Sequence, residues 1–191
     1  ITEIVEIITK EENTFKLVPE EIEELYRDSP GMSRLIIFNH PVNHTGASYS
    51  PEELQALAEV FRKHQIVVFA DEVYAGCHYE GDCHSIAEYY PELTIRASSL
   101  SKEFSAGGYR IGWAVFPEAL HPLKQAMAAT GTSSYTCAAV PLQYAAVTAL
   151  EDGAEVQQFH QNSRRVLKMI GKQCVEKFRA IGLACTEPEA A

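Results

Sequence analysis

Ser98-Ser99-Leu100-Ser101-Lys102-Glu103-Phe104-Ser105-Ala106-Gly107-Gly108-Tyr109-Arg110-Ile111-Gly112-Trp113 joins two runs of β character, Leu93 to Ala97 and Ile111 to Phe116. A parallel return between neighbouring strands needs a crossover of about a dozen residues or more, usually a helix. This connection is too short for that, so its length predicts that the second strand runs antiparallel to the first. Lys102 and Arg110 then stand at the same edge of a sheet. Taken alone, Lys102 reads as readily as a solvated loop lysine, and its meaning depends on what else reaches that edge.

Working back from the loop, the chain alternates short apolar runs with amphipathic ones. Ile4 to Ile8 alternates as a strand does, and Asn13 to Phe15 reads as a polar turn. Val18-Pro19-Glu20-Glu21 is a helix start, because proline wastes no N–H in the first turn and the helix dipole favours the carboxylates there. Arg34-Leu35-Ile36-Ile37-Phe38 is a continuous apolar run, as expected of a strand covered on both faces. A turn-rich loop follows, Asn39-His40-Pro41-Val42-Asn43-His44-Thr45-Gly46. Ser50-Pro51-Glu52-Glu53 is a capping box, with Leu54, Leu57, Ala58 and Phe61 at helical spacing behind it. Ile66 to Ala70 is a second buried-type strand, ending in Asp71-Glu72-Val73-Tyr74, and a short Ser85 to Tyr90 segment leads to the third. Strand, helix, strand, helix is the rhythm of an α/β layer with a largely parallel sheet.

Downstream of Phe116 the pattern turns helical. Pro122 predicts a break between a first turn and the remainder of a helix over Pro117 to Ala129. Ala138 to Leu150, rich in Ala, Leu and Val, is expected to be buried. A long helix from Gly153 to about Ile181 carries Val156, Phe159, Val166, Leu167, Ile170, Cys174 and Phe178 on one broad face, the form of a helix that bridges to a second domain.

The 191 residues, 46% of them hydrophobic, suffice for one sizeable core. With 26 acidic and 16 basic residues the formal net charge is −10, which argues against general affinity for nucleic acid or an anionic membrane surface. No apolar run approaches a membrane span and no signal-peptide pattern opens the chain, so the expected compartment is the cytoplasm. The five cysteines, Cys77, Cys83, Cys137, Cys174 and Cys185, form no C-x-x-C pair and are expected to be buried or partly buried free thiols. Cys77-His78 and Cys83-His84 repeat a soft ligand pair, but at a spacing foreign to familiar zinc sites, and loop residues are the better reading, with no metal site expected. The opening on Ile1 without Met, with a strand apparently in progress, and the close soon after a long helix suggest an incomplete chain.

Three loops follow the carboxyl ends of presumed parallel strands, the edge at which open α/β sheets bind ligands. They carry Asn43, then Asp71 with Tyr74, then Ser99, Ser101 and Lys102, and the antiparallel return adds Arg110. Each has an ordinary alternative: Asp71 as a helix cap, Tyr74 as a core ring, Asn43 as a turn residue, Arg110 in a surface ion pair. Their joint placement is what a purely structural reading explains poorly.

Asn43-His44-Thr45-Gly46, Asp71-Glu72-Val73-Tyr74, and Ser99-Leu100-Ser101-Lys102 with Arg110-x-Gly112-Trp113 resemble, in order and spacing, the Asn-Pro-Thr-Gly loop, the Asp-x-x-Tyr motif and the lysine segment of the fold-type I, class I/II aminotransferases, which use pyridoxal 5′-phosphate. The resemblance covers roughly residues 1–185. It implies a three-layer α/β/α large domain over 1–150, whose mostly parallel sheet carries one antiparallel strand, and over 151–191 a connecting helix with the start of a small domain. It also implies roles. Lys102 would hold the cofactor as a Schiff base and, once freed, move the substrate's proton. Asp71 would face the pyridine nitrogen; Tyr74 and Asn43 would hydrogen-bond the phenolic oxygen; Ser99, Ser101 and Arg110 would bind the phosphate. The partners implied are an α-amino acid, a 2-oxo acid and a second copy of the chain, with Ser133 to Thr136 contributing to the partner's phosphate site.

Two positions depart from the family pattern: His44 stands where proline is usual, and His40 where an earlier asparagine is common. The family's cofactor-stacking aromatic residue, its first phosphate loop and the tyrosine lent by the partner would precede Ile1, and the arginine that grips the substrate carboxylate would follow Ala191. The reading is amino-group transfer; a carbon–sulfur β-lyase on the same scaffold and a non-catalytic sensing domain are the alternatives.

Overall fold

The computed structural model describes residues 4–28, 34–151 and 153–190. Its centre is a four-stranded sheet of β1 (Leu35–Asn39), β2 (Val67–Asp71), β3 (Thr94–Ser99) and β4 (Gly112–Val115), in that spatial order. β1, β2 and β3 are parallel, with Asn39 opposite Asp71 and Asp71 opposite Ala97. β4 runs antiparallel to β3, pairing Ser99 with Gly112, as the length of the lysine loop requires.

Three helices cover one face: α1 (Pro19–Asp28), α2 (Pro51–Lys63) and the short α3 (Ile86–Tyr89). The capping box at Ser50 is complete, Ser50 Oγ accepting from the Glu53 N–H while the Glu53 carboxylate accepts from the Ser50 N–H. A second capping box at Ser85 and Glu88 starts α3. Leu54, Leu57, Ala58 and Phe61 of α2 meet Phe38, Val68 and Ala70 of the sheet, with Ile22, Ile86 and Tyr90 closing the same core. Burial of this apolar stripe is the dominant stabilising term.

Four expectations are corrected. Ile4 to Ile8 forms no strand: Ile4, Val5 and Ile8 are exposed and, among the described residues, no neighbouring strand offers backbone partners, so alternation alone gives no ladder. β1 is covered on one face only; Ile37, on the other, is 71% exposed. The helix α5 (Val140–Leu150) is apolar on all sides but buries only Ala146, and leaves Tyr144 and Val147 in solvent. In α6 (Ala154–Ala180) the broad apolar face, including Phe159, Val166, Ile170 and Phe178, is exposed, and His160 and Val175 are buried instead. The last two share a cause: these helices meet the rest of the described chain through a few positions, such as Leu142 and Ala146 of α5 and His160 and Val175 of α6, and the remainder of their apolar surface has no cover among the described residues. Pro122 acts as expected, separating a 3₁₀ turn (Glu118–Leu120) from α4 (His121–Ser134).

The residues beyond α6 return to the sheet edge. The N–H groups of Glu189 and Ala190 donate to the Gly46 carbonyl at 2.8 and 3.1 Å, the Tyr79 N–H donates to the Glu189 carbonyl, and the Glu189 carboxylate accepts from the Ser48 N–H at 2.7 Å. Gly46 has φ +67°, and a Cβ there would lie 2.5 Å from Pro188 Cβ and 2.7 Å from the Ala190 oxygen. Gly46→Ala is therefore expected to cost about 1–2 kcal/mol for the left-handed backbone and about 1–3 kcal/mol more for the overlap. Thermal unfolding checks this; an unchanged melting temperature would contradict the docking of residues 188–190 on this glycine.

Among the described residues no helix is long and apolar enough to cross a membrane, and no three His, Cys, Asp or Glu side chains gather as metal ligands. The cysteines are unpaired; Cys77 is buried and Cys83 and Cys185 half-buried, but Cys137 and Cys174 are exposed, against expectation, because they sit on the lightly packed helical half.

Candidate active site

The lysine loop is held at both ends. Leu100 and Ile111 are buried and hydrogen-bonded, the Leu100 N–H donating to the Ile111 carbonyl at 3.2 Å, and both pack on Ala146 with Phe104, Trp113 and Leu142 around them. This is the work of α5: its few buried positions clamp the loop's apolar ends. Between those ends the Ser105 N–H donates to the Lys102 carbonyl, and a 3₁₀ turn (Gly107–Tyr109) carries the chain to Arg110. Ser105 (φ 53°) and Arg110 (φ 58°) hold left-handed backbone conformations without being glycine. Such conformations cost on the order of 1–3 kcal/mol and cluster at functional sites. The Arg110 guanidinium donates to the Gly107 carbonyl at 2.9 Å and is otherwise open to solvent.

Lys102 is exposed, and its Nζ lies 5.2 Å from the centroid of the Tyr74 ring. Tyr74 stands three residues past the end of β2, at the start of a 3₁₀ turn (Ala75–Cys77). The register sets Asp71 and Ser99 at the ends of adjacent strands and on the same sheet face. Ser99 Oγ accepts from the Ser101 N–H at 3.2 Å, and Arg110 stands two residues before Gly112, the β4 residue that pairs with Ser99. Lys102, Tyr74, Asp71, Ser99, Ser101 and Arg110 thus share one rim. Asn43 stands further off, in a cavity of about 440 Å³ lined also by Gly46, Gly171, Val175, Phe178 and Pro188.

What ties Asn43 to the rim is Asn39, a residue to which the sequence reading gave no role. Its Nδ2 donates to the Asp71 carbonyl at 3.1 Å and its Oδ1 accepts from the Asn43 N–H at 2.8 Å. The neighbouring His40 is buried, with Nε2 3.1 Å from the His84 carbonyl, so that nitrogen is the donor. Burial holds the imidazole neutral, its pKa pushed down to about 4. His40 thus replaces the usual asparagine with a ring that packs edge-on against Tyr49 and keeps the loop seated.

Two further groups escaped the sequence reading. Glu72 is buried, accepts from Arg96 Nε at 2.7 Å and receives a hydrogen bond from Ser85 Oγ. Its side chain lies on the helix-covered face, opposite that of Asp71. The only signal was a charged residue at the end of a buried strand. Glu103 lies across Gly76, where a Cβ would fall 2.3 Å from Glu103 Cγ, and its Oε1 is 3.6 Å from His160 Nε2 of α6, too far for a hydrogen bond. Arg164 Nε donates to the Gly76 carbonyl at 2.8 Å, tying α6 to the turn that follows Tyr74.

Burial raises the Glu72 carboxyl above its ordinary value of 4.5, against the opposing pull of Ser85 and Arg96, while the charge of Glu88 adds to the rise. A raised carboxyl contributes stability that is present at low pH and is lost as pH climbs through its folded value. Glu72→Gln, permanently neutral, is expected to melt at or above the wild type at neutral pH, with the advantage shrinking as pH falls toward 4.5. Melting curves across that range check the sign.

The rim offers an amine, a guanidinium, hydroxyls, a phenol and a carboxylate on a strained, well-anchored loop. A phosphorylated aldehyde with a basic ring nitrogen suits this set: the amine for the aldehyde, Arg110 with Ser99 and Ser101 for the phosphate, Asp71 for the ring nitrogen.

An open sheet of parallel strands closed by one antiparallel strand, flanked by helices and bearing this rim, is the architecture of aspartate aminotransferase. The structure of Thermus thermophilus aspartate aminotransferase with maleate matches at a TM-score of 0.88 and 30% identity, over 98% of this chain and 47% of that one. The aromatic aminotransferase from Pyrococcus horikoshii OT3 matches at 0.87 and 28%, over 98% and 49%. The aspartate aminotransferase of Geobacillus stearothermophilus is 35% identical over 186 residues, 95% of this chain and 45% of that protein. The glutamate-pyruvate aminotransferase AlaA of Haemophilus influenzae is 32% identical over 83% of this chain and 40% of that protein. The family model for aminotransferase class I and II matches residues 2–191, and the chain belongs to that family. It spans about half the length of the relatives it matches.

Proposed function

We propose that the full-length protein transfers an amino group between an α-amino acid and a 2-oxo acid, with pyridoxal 5′-phosphate held at Lys102. The observation that carries this reading is the amine of Lys102, placed over Tyr74 on the rim that also bears Asp71, Ser99 and Arg110, in a chain of the aminotransferase family. When bound, pyridoxal 5′-phosphate supplies an aldehyde that condenses with amines and a ring that accepts electron density from the substrate's Cα.

Lys102 would hold the cofactor's aldehyde and, as a free amine, would move the proton at the substrate's Cα. Asp71 keeps a proton on the ring nitrogen. Tyr74 and Asn43 would donate to the phenolic oxygen, the Asn43 loop being tied to Asp71 through Asn39. Ser99, Ser101 and Arg110 bind the phosphate, the guanidinium giving paired donors and full charge. The protein acts as a homodimer in the cytoplasm, Ser133 to Thr136 reaching the partner's phosphate site. Residues 1–150 form the cofactor-binding domain, and α6 leads from it toward a second, smaller domain.

The named relatives are aminotransferases, which favours transfer over β-elimination. The deciding assay supplies amino acids with 2-oxo acids and, separately, cystathionine. Transfer dependent on the 2-oxo acid supports the reading; pyruvate and ammonia from cystathionine without that dependence would replace it with the lyase.

A further inference from the structure

Glu72 stands between Asp71 and Tyr74, and every polar group it owns is engaged. Its N–H donates to the Ala97 carbonyl of β3 at 2.9 Å, and its carbonyl accepts from the Ala75 N–H at 3.0 Å and from Ser98 Oγ at 3.4 Å. One carboxylate oxygen accepts from Arg96 Nε of β3, the other from Ser85 Oγ, whose oxygen also caps α3 by accepting from the Ala87 N–H. The side chain is 4% exposed, whereas that of Arg96 is 54% exposed. A buried carboxylate costs free energy unless its partners are well placed, so three separate elements, the end of β2, the strand β3 and the start of α3, are locked to one another at this residue. The lock lies on the helix-covered face; Asp71 emerges on the opposite face one residue earlier, and Tyr74 two residues later.

We infer that Glu72 is a positioning residue of the cofactor site: from behind the sheet, its carboxylate fixes the Asp71 to Tyr74 backbone against β3, and so sets the spacing of the ring-side carboxylate and phenol from Ser99 and Lys102. This rests on the functional reading above. Glu72 touches neither cofactor nor substrate, and it acts only through its neighbours. Glutamine can take its place with little loss, because its oxygen accepts from Arg96 while its amide donates to Ser85 Oγ, whose hydroxyl proton is free to turn. Alanine cannot.

The test compares wild type, Glu72→Ala, Glu72→Gln, Arg96→Ala and Lys102→Ala in the full-length protein. For each, equilibrium dialysis gives the affinity for pyridoxal 5′-phosphate, the bound cofactor's absorbance is titrated against pH, and the apoprotein is melted. Glu72→Ala is expected to weaken cofactor binding about 10–100-fold, the scale seen when a group that orients a binding residue is removed, and to move the midpoint of the absorbance titration. Arg96→Ala moves both in the same direction by less, and Glu72→Gln stays close to wild type. Should Glu72→Ala fail to fold, Arg96→Ala carries the test, since it leaves the Ser85 bond in place. A lowered melting temperature with unchanged affinity and unchanged titration would reduce Glu72 to a stabilising residue and overturn the inference. If wild type and Lys102→Ala bind the cofactor alike, the functional reading itself fails, and this inference with it.

Discussion

Lys102→Ala is expected to abolish the proposed amino-group transfer in the full-length protein, with a fall in rate of about 10⁴-fold or more, because in the proposed function one side chain serves both as the covalent anchor and as the proton carrier. The structure supports so large an effect in three ways. The amine stands beside the Tyr74 ring, 5.2 Å from its centroid. The loop is fixed on both sides by Leu100 and Ile111, so a variant side chain leaves the backbone where it was. Lys102 is itself exposed, so alanine removes no packing and should not lower the melting temperature. The cleanest readout is mass: after borohydride reduction and denaturation, wild type retains the cofactor on a peptide containing Lys102 and the variant releases it. Retention by the variant would move the anchor to another residue.

Asp71→Ala is expected to keep a fraction of the cofactor but lose proton transfer at Cα by about 10²–10⁴-fold. The backbone of Asp71 is secured independently of its side chain: the carbonyl accepts from the His40 N–H and from Asn39 Nδ2, and the residue pairs in register with both neighbouring strands. Among the described residues the carboxylate accepts one long hydrogen bond, from the Val73 N–H at 3.4 Å. Alanine therefore removes the charge and little else. Exchange of the amino acid's Cα proton in deuterated water isolates this step from overall turnover. Exchange at the wild-type rate would show that no carboxylate is needed at the ring nitrogen.

The parts of this molecule legible in its sequence are those governed by local rules. The reversal between β3 and β4 follows from a loop too short to cross over, and the starts of α2 and α3 from serine and glutamate three residues apart. Pro122 marks its break by the same logic. Apolar runs proved ambiguous for a physical reason. Hydrophobicity records what a segment can bury, and the covering partner must come from elsewhere, which Ile37, Tyr144 and Phe159 lack among the described residues. The candidate site divides in the same way. Lys102, Asp71, Tyr74 and Arg110 declare themselves by type and position at a strand edge. Asn39 and Glu72 work through partners that only the folded chain supplies, such as Asp71 and Arg96.

The docking of residues 188–190 on Gly46 bears on the order in which the chain is assembled during synthesis. The hydrogen bond from the Ser48 N–H to the Glu189 carboxylate joins groups 141 residues apart. Closing so long a loop carries an entropic cost met only after nearer contacts have formed, and contacts of high sequence separation slow folding. The α1 to α3 layer and the first three strands find their partners within residues 17–99 and can condense as soon as that stretch leaves the ribosome, since domains fold from the amino-terminal side as they emerge. The loop that carries Asn43 gains its last backbone partners only when Ala190 has been added. A nascent chain that has passed Ser99 but not Ala190 therefore lacks the backbone bonds from Glu189 and Ala190 to Gly46.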